Sequence, residues 1–139
     1  MDKEKGFWEM ITFSSKGDQR GELVALEAMK EIPFPIKRVY YMINTKPGVR
    51  RGLHAHIDLD QVLIAASGSC KVSVENGSKR EEILLNDNKK GLRIKNLVWR
   101  EMYDFSPDCA LLVLASHLYD PNDYIRDYQR FAERAANER

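Results

Sequence analysis

Cysteine is scarce in this 139-residue chain: Cys70 and Cys109 are the only two, both in apolar strand-like runs and without Cys-x-x-Cys spacing. That excludes a disulfide-stapled scaffold and a thiolate metal knot, and both thiols are expected reduced and buried. Long apolar runs are missing as well. None approaches the roughly 20 residues that span a bilayer, and the charged start Met1-Asp-Lys-Glu-Lys-Gly is not followed by a signal-like stretch. A cytoplasmic chain with no membrane partner is therefore expected. Excess charge is absent too, since 22 Lys and Arg against 21 Asp and Glu leave a net +1. This gives no bulk attraction to nucleic acid. There is no internal repeat, low-complexity tract or Pro/Gly-rich linker. The length suits a single domain over residues 1–139.

What is present is a series of short strands separated by turn signals. Ile11-Thr-Phe, Ile36 to Ile43, Arg51 to His56, Asp60 to Ala66, Cys70 to Val74, Glu82-Ile-Leu-Leu, Leu92-Arg-Ile, Val98 to Met102 and Ala110 to Ala115 read as extended. Residues 16–21 read as a polar turn, and Glu75-Asn-Gly-Ser as a tight hairpin turn. Such spacing predicts an all-β sandwich or barrel, a jelly roll among the options. The end differs. Asp120-Pro121 supplies an N-cap and a proline at the first helical position, after which Tyr124, Ile125, Tyr128, Phe131 and Ala132 form one helical face. That stripe is expected to pack on the barrel or on a second subunit.

Only three histidines occur, and two of them form His54-Ala55-His56. On a strand, residues two apart share a face, so both imidazoles project together, and burying both without partners is costly. The neighbourhood matches the first cupin motif at Gly48, His54, His56 and Gly68, but Gln61 stands where the motif has glutamate. Residues 91–105, where a second motif would supply another histidine, contain none, and His117 lies beyond the last strand. With two of four ligands missing, a tight Zn, Fe or Mn site lacks its donors. No metal and no cofactor is expected, and the imidazoles are left free to move protons.

Five blocks in order carry a narrower resemblance: Ile32-Pro-Phe-Pro-Ile-Lys-Arg-Val-Tyr-Tyr, Arg51-Gly-Leu-His-Ala-His, Gln61-Val-Leu-Ile, Val98-Trp-Arg-Glu-Met-Tyr-Asp-Phe, and Ala115-Ser followed by Asp120, Asp123-Tyr-Ile-Arg. From about residue 10 to about residue 131 the chain resembles the dTDP-sugar 3,4-ketoisomerases, the WxcM-like group of cupins. The resemblance implies a cupin jelly-roll barrel with a C-terminal helix, and a homodimer with exchanged N-terminal strands. It also implies dTDP-4-keto-6-deoxyglucose as substrate and a product that feeds synthesis of 3-amino-3,6-dideoxyhexoses for surface glycans.

By that resemblance His54 is the candidate base, His56 a shuttle or orienting group, and Tyr40 a hydroxyl donor near the sugar. The chemistry agrees, because moving a carbonyl from C4 to C3 through an enediolate needs a base that titrates near neutrality. An oxyanion needs donors aimed at it, and Tyr40, His56 and Arg100 are candidates. Arg38 shares a strand face with Tyr40. Arg51 is a candidate pyrophosphate ligand, because a guanidinium fork binds phosphate oxygens in pairs. Trp99 either packs or borders the sugar, and Lys71 touches substrate if its strand face lines the barrel. Arg20 and Arg100 are candidates for deciding the configuration at C4. A 3,5-epimerase on similar sugars, a non-catalytic binding module and a metal-dependent dioxygenase are the competing functions.

Overall fold

In a computed structural model, residues 6–138 are described. Twelve strands and one α-helix form among them, in the order β1 Trp8–Thr12, β2 Lys16–Asp18, β3 Gly21–Leu23, β4 Arg38–Met42, β5 Arg51–His56, β6 Gln61–Ser67, β7 Cys70–Glu75, β8 Arg80–Leu85, β9 Lys90–Ile94, β10 Trp99–Tyr103, β11 Ala110–Ala115, β12 Tyr124–Ile125 and α1 Tyr128–Glu138. Two five-stranded antiparallel sheets carry the architecture, one ordered β1-β9-β6-β11-β4 and the other β12-β5-β10-β7-β8. The non-sequential neighbours mark the crossed connections of a jelly roll. The expected all-β fold with a C-terminal helix is the one observed.

The inner faces follow from strand alternation. On β6, Gln61, Leu63 and Ala65 turn inward while Val62 and Ile64 turn out. On β10, Arg100 and Met102 turn inward while Trp99 and Glu101 turn out. The apolar members of the two inner faces, with Val72, Val74, Leu92, Ile94, Leu111 and Val113, make the central core. The polar members collect at one end of it. Both outer faces are covered in part. Ile32 and Phe34, from the irregular stretch before β4, pack with Phe13 on Val62, Ile64 and Leu114. Phe131 and Ala135 of α1 pack on Ala55, Trp99 and Ile125. Burying a side chain such as Phe131 contributes about 1.5–3 kcal/mol.

Three sequence expectations are corrected. Residues 16–21 are not a bare turn; they belong to a hairpin of β2 and β3 that pairs with neither large sheet. The cap at Asp120 forms, with its side chain accepting the Asn122 N–H, but the helix it starts is a single 3-10 turn over Pro121–Asp123. Tyr124 and Ile125 then become strand because their backbone completes the edge of β5 opposite His56 and Ala55. The helix proper starts later, with the Asp127 carboxylate accepting the Gln129 N–H. It runs on to Glu138, with Phe131 and Ala135 buried.

Candidate active site

The polar end of the barrel opens into a cavity of about 230 Å³ between the sheets. Its wall takes Arg38, Tyr40 and Met42 from β4, Arg51, Gly52 and His54 from β5, Gln61 from β6, Arg100 and Met102 from β10, and Tyr124 with Arg126 from the β12 segment. Four guanidiniums thus line it and no carboxylate does. In a chain of net charge +1, the cavity is the place where positive charge has been concentrated.

A backbone irregularity sets who faces inward on β5. Arg100 pairs with His54 but Glu101 pairs with Gly52, so Leu53 is an extra residue, a β-bulge. Gly52 and Leu53 both have positive φ, 86° and 56°. A Cβ on Gly52 would meet the Arg100 carbonyl oxygen and the Met102 sulfur at 3.0 Å each, so only glycine fits that close approach. Simple alternation would send Arg51 to the face opposite His54. The bulge reverses that, Arg51 pairs with inward-facing Met102, and cation and imidazole share the cavity.

The imidazoles form a short chain. His54 Nδ1–H donates to the Gly52 carbonyl at 2.9 Å, and His54 Nε2 lies 3.1 Å from His56 Nε2. Nδ1–H of His56, whose side chain is only 1% exposed, donates to Asp123 Oδ2 at 2.9 Å. The Tyr124 ring stacks obliquely on both imidazoles, with centroids 4.9 and 4.4 Å away. Burial and then the Arg100 guanidinium pull both imidazoles down, His54 to about 3 and His56 to about 2. The Asp123 carboxylate against Nδ1 works the other way on His56. At neutral pH both imidazoles are therefore uncharged.

A second chain runs from Arg100 to Tyr40. Arg100, 1% exposed, donates Nη1–H to Gln61 Oε1 at 2.5 Å, and Nε–H and Nη2–H to the Val98 carbonyl. Gln61 Nε2–H donates onward to the Tyr40 hydroxyl oxygen at 2.9 Å. That leaves the phenol hydrogen free to donate into the cavity. Burial raises Tyr40 above its ordinary value, so it stays a donor. Burial lowers Arg100 to about 10, which leaves it charged at neutral pH. Among the described residues no carboxylate lies within ion-pair distance of Arg100, so its charge is available to an anionic substrate. At the mouth, Arg38 lies over the Tyr40 and Tyr119 rings, 4.4 and 5.2 Å from their centroids, and Arg126 lies 4.2 Å over Tyr124.

This donor set does not suit a metal ion. The two Nε2 atoms point at each other, the oxygen of Gln61 is taken by Arg100, and no group of three His, Cys, Asp or Glu among the described residues is arranged to converge.

Of the residues singled out in the sequence, His54, Tyr40, Arg38, Arg51 and Arg100 meet in this cavity, with His56 directly behind His54. Tyr41, the alternating neighbour of Tyr40, is 65% exposed on the other face. Three candidates lie elsewhere. Lys71 is on the outer face of β7 and pairs with Asp104 at 3.4 Å, because Cys70 and Val72 take the inner face. Trp99 is on the outer face of β10, packed edge-on to Tyr128 and against Phe131, so it fastens α1 and does not border the cavity. Arg20 is at the tip of the β2–β3 hairpin with its side chain 87% exposed, bound to Asp18. Gln61, Tyr124, Asp123 and Arg126 are site residues that pattern alone did not assign. In the sequence Gln61 stands out as the missing acidic ligand of the cupin motif and as the start of one resemblance block, while Tyr124 and Arg126 fall in the stretch with helical spacing.

A barrel whose end presents facing imidazoles, a phenol donor and four unpaired or ring-stacked guanidiniums defines a cupin-type protein built to handle protons on an anionic substrate. Comparison with known proteins gives the particular family: residues 7–136 match the family described as FdtA, WxcM-like, C-terminal, and the chain belongs to it. It is 50% identical over 123 residues to the TDP-4-oxo-6-deoxy-alpha-D-glucose-3,4-oxoisomerase of Aneurinibacillus thermoaerophilus, covering 88% of each chain. A 3,4-ketoisomerase from Helicobacter canadensis superposes with a TM-score of 0.90 at 48% identity, covering 93% of this chain and 97% of the other. A histidine-to-asparagine variant of the 3,4-ketoisomerase QdtA from Thermoanaerobacterium thermosaccharolyticum, in complex with TDP-4-keto-6-deoxyglucose, superposes with a TM-score of 0.92 at 43% identity. There the coverage is 94% of this chain and 95% of the other.

Proposed function

We propose that the chain isomerises dTDP-4-keto-6-deoxyglucose to a dTDP-3-keto-6-deoxyhexose by proton transfer through an enediolate. The observation that carries this is the His54–His56 pair opening onto a carboxylate-free cavity with four guanidiniums. Proton abstraction next to a carbonyl needs a neutral base and donors for the oxyanion, and a nucleoside diphosphate needs cations. The names borne by the relatives point the same way.

In this mechanism His54 Nε2 removes the C3 proton, and the C–H electron pair becomes the C3=C4 bond of the enediolate. Tyr40 donates to O4, and Arg100 supports that donation through Gln61. Return of the carbon-derived proton to C4, with the O3 hydroxyl proton replacing the one Tyr40 gave, leaves a 3-keto group. Net, one proton passes from C3 to C4 and one from O3 to O4. Arg51 and Arg38 hold the pyrophosphate. A 3-keto sugar is the form an aminotransferase needs to install a 3-amino group, which places the product ahead of 3-amino-3,6-dideoxyhexoses for surface glycans.

We further infer a cytoplasmic homodimer in which the β2–β3 hairpin exchanges and carries Arg20 toward the second copy. The hairpin's six strand residues are all exposed, and the edge strand β4 presents Val39 and Tyr41 to solvent, with Ile43 exposed just after it. Light scattering on the purified protein tests the dimer, and a monomer at micromolar concentration removes it.

The activity is tested by incubating EDTA-treated protein with dTDP-4-keto-6-deoxyglucose in deuterated buffer and following proton NMR. Loss of the C3 proton signal with a 3-keto product, absent in His54→Asn, is the expected result, and the C4 coupling reads the product's configuration. Substrate returned unchanged and undeuterated overturns the proposal, while deuterium at C5 points to an epimerase.

A further inference from the structure

Asp123 does not line the cavity, yet both of its carboxylate oxygens are committed as acceptors. Oδ1 takes the backbone N–H of Asp58 at 2.8 Å, and Oδ2 takes Nδ1–H of His56 at 2.9 Å. The Asp123 carbonyl accepts the Ile57 N–H, and the next residue pairs with His56 across the β12–β5 ladder. Carboxylate and imidazole are therefore held on one frame. A neutral imidazole carries a single N–H, so a proton fixed on Nδ1 leaves a lone pair on Nε2. The Gly52 carbonyl imposes the same tautomer on His54. Two Nε2 lone pairs consequently face each other at 3.1 Å, a contact that becomes a hydrogen bond only when one further proton enters.

We propose, resting on the isomerase reading, that Asp123 is a positioning residue that locks His56 in its Nδ1–H tautomer, so that the gap between the two Nε2 atoms is an acceptor slot for the one proton taken from the substrate. In the forward step the C3–H bond breaks, an N–H bond forms on His54 Nε2, and that proton is hydrogen-bonded to His56 Nε2. The electron pair stays with the sugar as the enediolate. Transfer to C4 breaks the N–H bond and empties the slot, so the proton inventory balances over one turnover. Relief of lone-pair repulsion and the negative charge of Asp123 both favour filling the slot. Burial and the guanidiniums of Arg100, Arg38 and Arg126 oppose it. The balance lets the proton be held briefly and released.

The geometry makes the amide variant informative. In Asp123→Asn the side-chain oxygen must still face the Asp58 N–H, a fixed donor, so the amide NH2 faces His56 Nδ1. The imidazole is driven to its Nε2–H tautomer and fills the slot without any proton from substrate. Tautomers are read by 15N NMR on histidine-labelled protein, beside kcat and KM for dTDP-4-keto-6-deoxyglucose. The expected result is Nδ1–H on His56 in the unsubstituted protein and Nε2–H in Asp123→Asn. With that change, kcat falls about 100-fold or more and KM moves less than about threefold. An unchanged tautomer in the variant, or a kcat within about threefold of the unsubstituted protein, overturns the assignment. Should Asp123→Asn fail to fold, the unsubstituted protein decides alone, since Nε2–H on its His56 is incompatible with the slot. Absence of turnover by the unsubstituted protein overturns the isomerase reading by itself, because the tautomer spectra need no substrate.

Discussion

Gln61→Glu is nearly isosteric, yet the structure assigns it opposite effects on stability and turnover. Gln61 accepts from Arg100 on its oxygen and donates to Tyr40 from its nitrogen. A carboxylate there accepts from both, so the Tyr40 hydrogen turns away from the cavity and toward the new acceptor. Loss of one preorganised oxyanion donor costs about 10²–10³ in kcat, or about 2.7–4 kcal/mol. Affinity weakens as well, because the cavity's charge drops from four unopposed guanidiniums to three. Stability moves the other way. The buried Arg100 charge gains a partner, worth about 4 kcal/mol at ~4 Å and an effective dielectric near 20. Desolvating the new carboxylate offsets most of that. A net gain of about 1 kcal/mol corresponds to a Tm rise of about 3 °C. The assay pairs thermal unfolding with steady-state turnover, with EDTA present because the variant restores the acidic ligand of the cupin motif. A kcat within about threefold of the unsubstituted protein refutes the donor chain from Arg100 to Tyr40. A Tm lowered by several degrees refutes the unpaired state of Arg100.

Two further outcomes follow from the same structure. His54 and His56 are depressed to about 3 and about 2 in the fold against about 6.5 unfolded, so the unfolded chain binds more protons between those values. Stability is then complete above about pH 6.5 and falls on acidification by about 1.4 kcal/mol per pH unit for each imidazole that stays neutral. Urea midpoints between pH 7 and 4.5 measure the slope, and replacing both imidazoles by Asn should flatten it; an unchanged slope contradicts the depressed values. Trp99→Phe should cost about 1–3 kcal/mol through lost packing against Tyr128 and Phe131. In protein kept folded, KM and kcat should stay within about twofold, and a rise in KM would move Trp99 back to the substrate.

Nine of the twelve strands, the inward pairing of His54 with His56 and the Arg38–Tyr40 face were legible in the sequence because each shows in the pattern of a single segment. The misplacements have local causes. Nothing in Tyr124-Ile125 distinguishes a helix face from an edge strand, since apolar pairs serve both, and only the free edge of β5 decides between them. Trp99 and Arg100 are adjacent and must face opposite ways, so once Arg100 faces the cavity the choice left open for Trp99 falls to packing on α1. Lys71 failed on the same rule, because Cys70 and Val72 claim the core side of β7. The Gly52–Leu53 bulge was invisible for the opposite reason, as it breaks alternation to bring Arg51 and His54 together.

The near-zero net charge was true and uninformative, because recognition here depends on where charge is placed. Four guanidiniums facing one cavity without a carboxylate repel each other and, at Arg100, occupy a fully buried position. A chain selected for stability alone would neutralise them, as it does at Arg93 with Asp60 and at Arg50 with Glu101. The residue that would neutralise Arg100 most directly is a glutamate at position 61, where the cupin motif has one and this chain has an amide. Keeping the amide preserves the unpaired cation, directs the Tyr40 hydrogen into the cavity and withholds a third metal ligand. One uncharged side chain thereby ties the departure from the metal-binding motif to the chemistry proposed in its place.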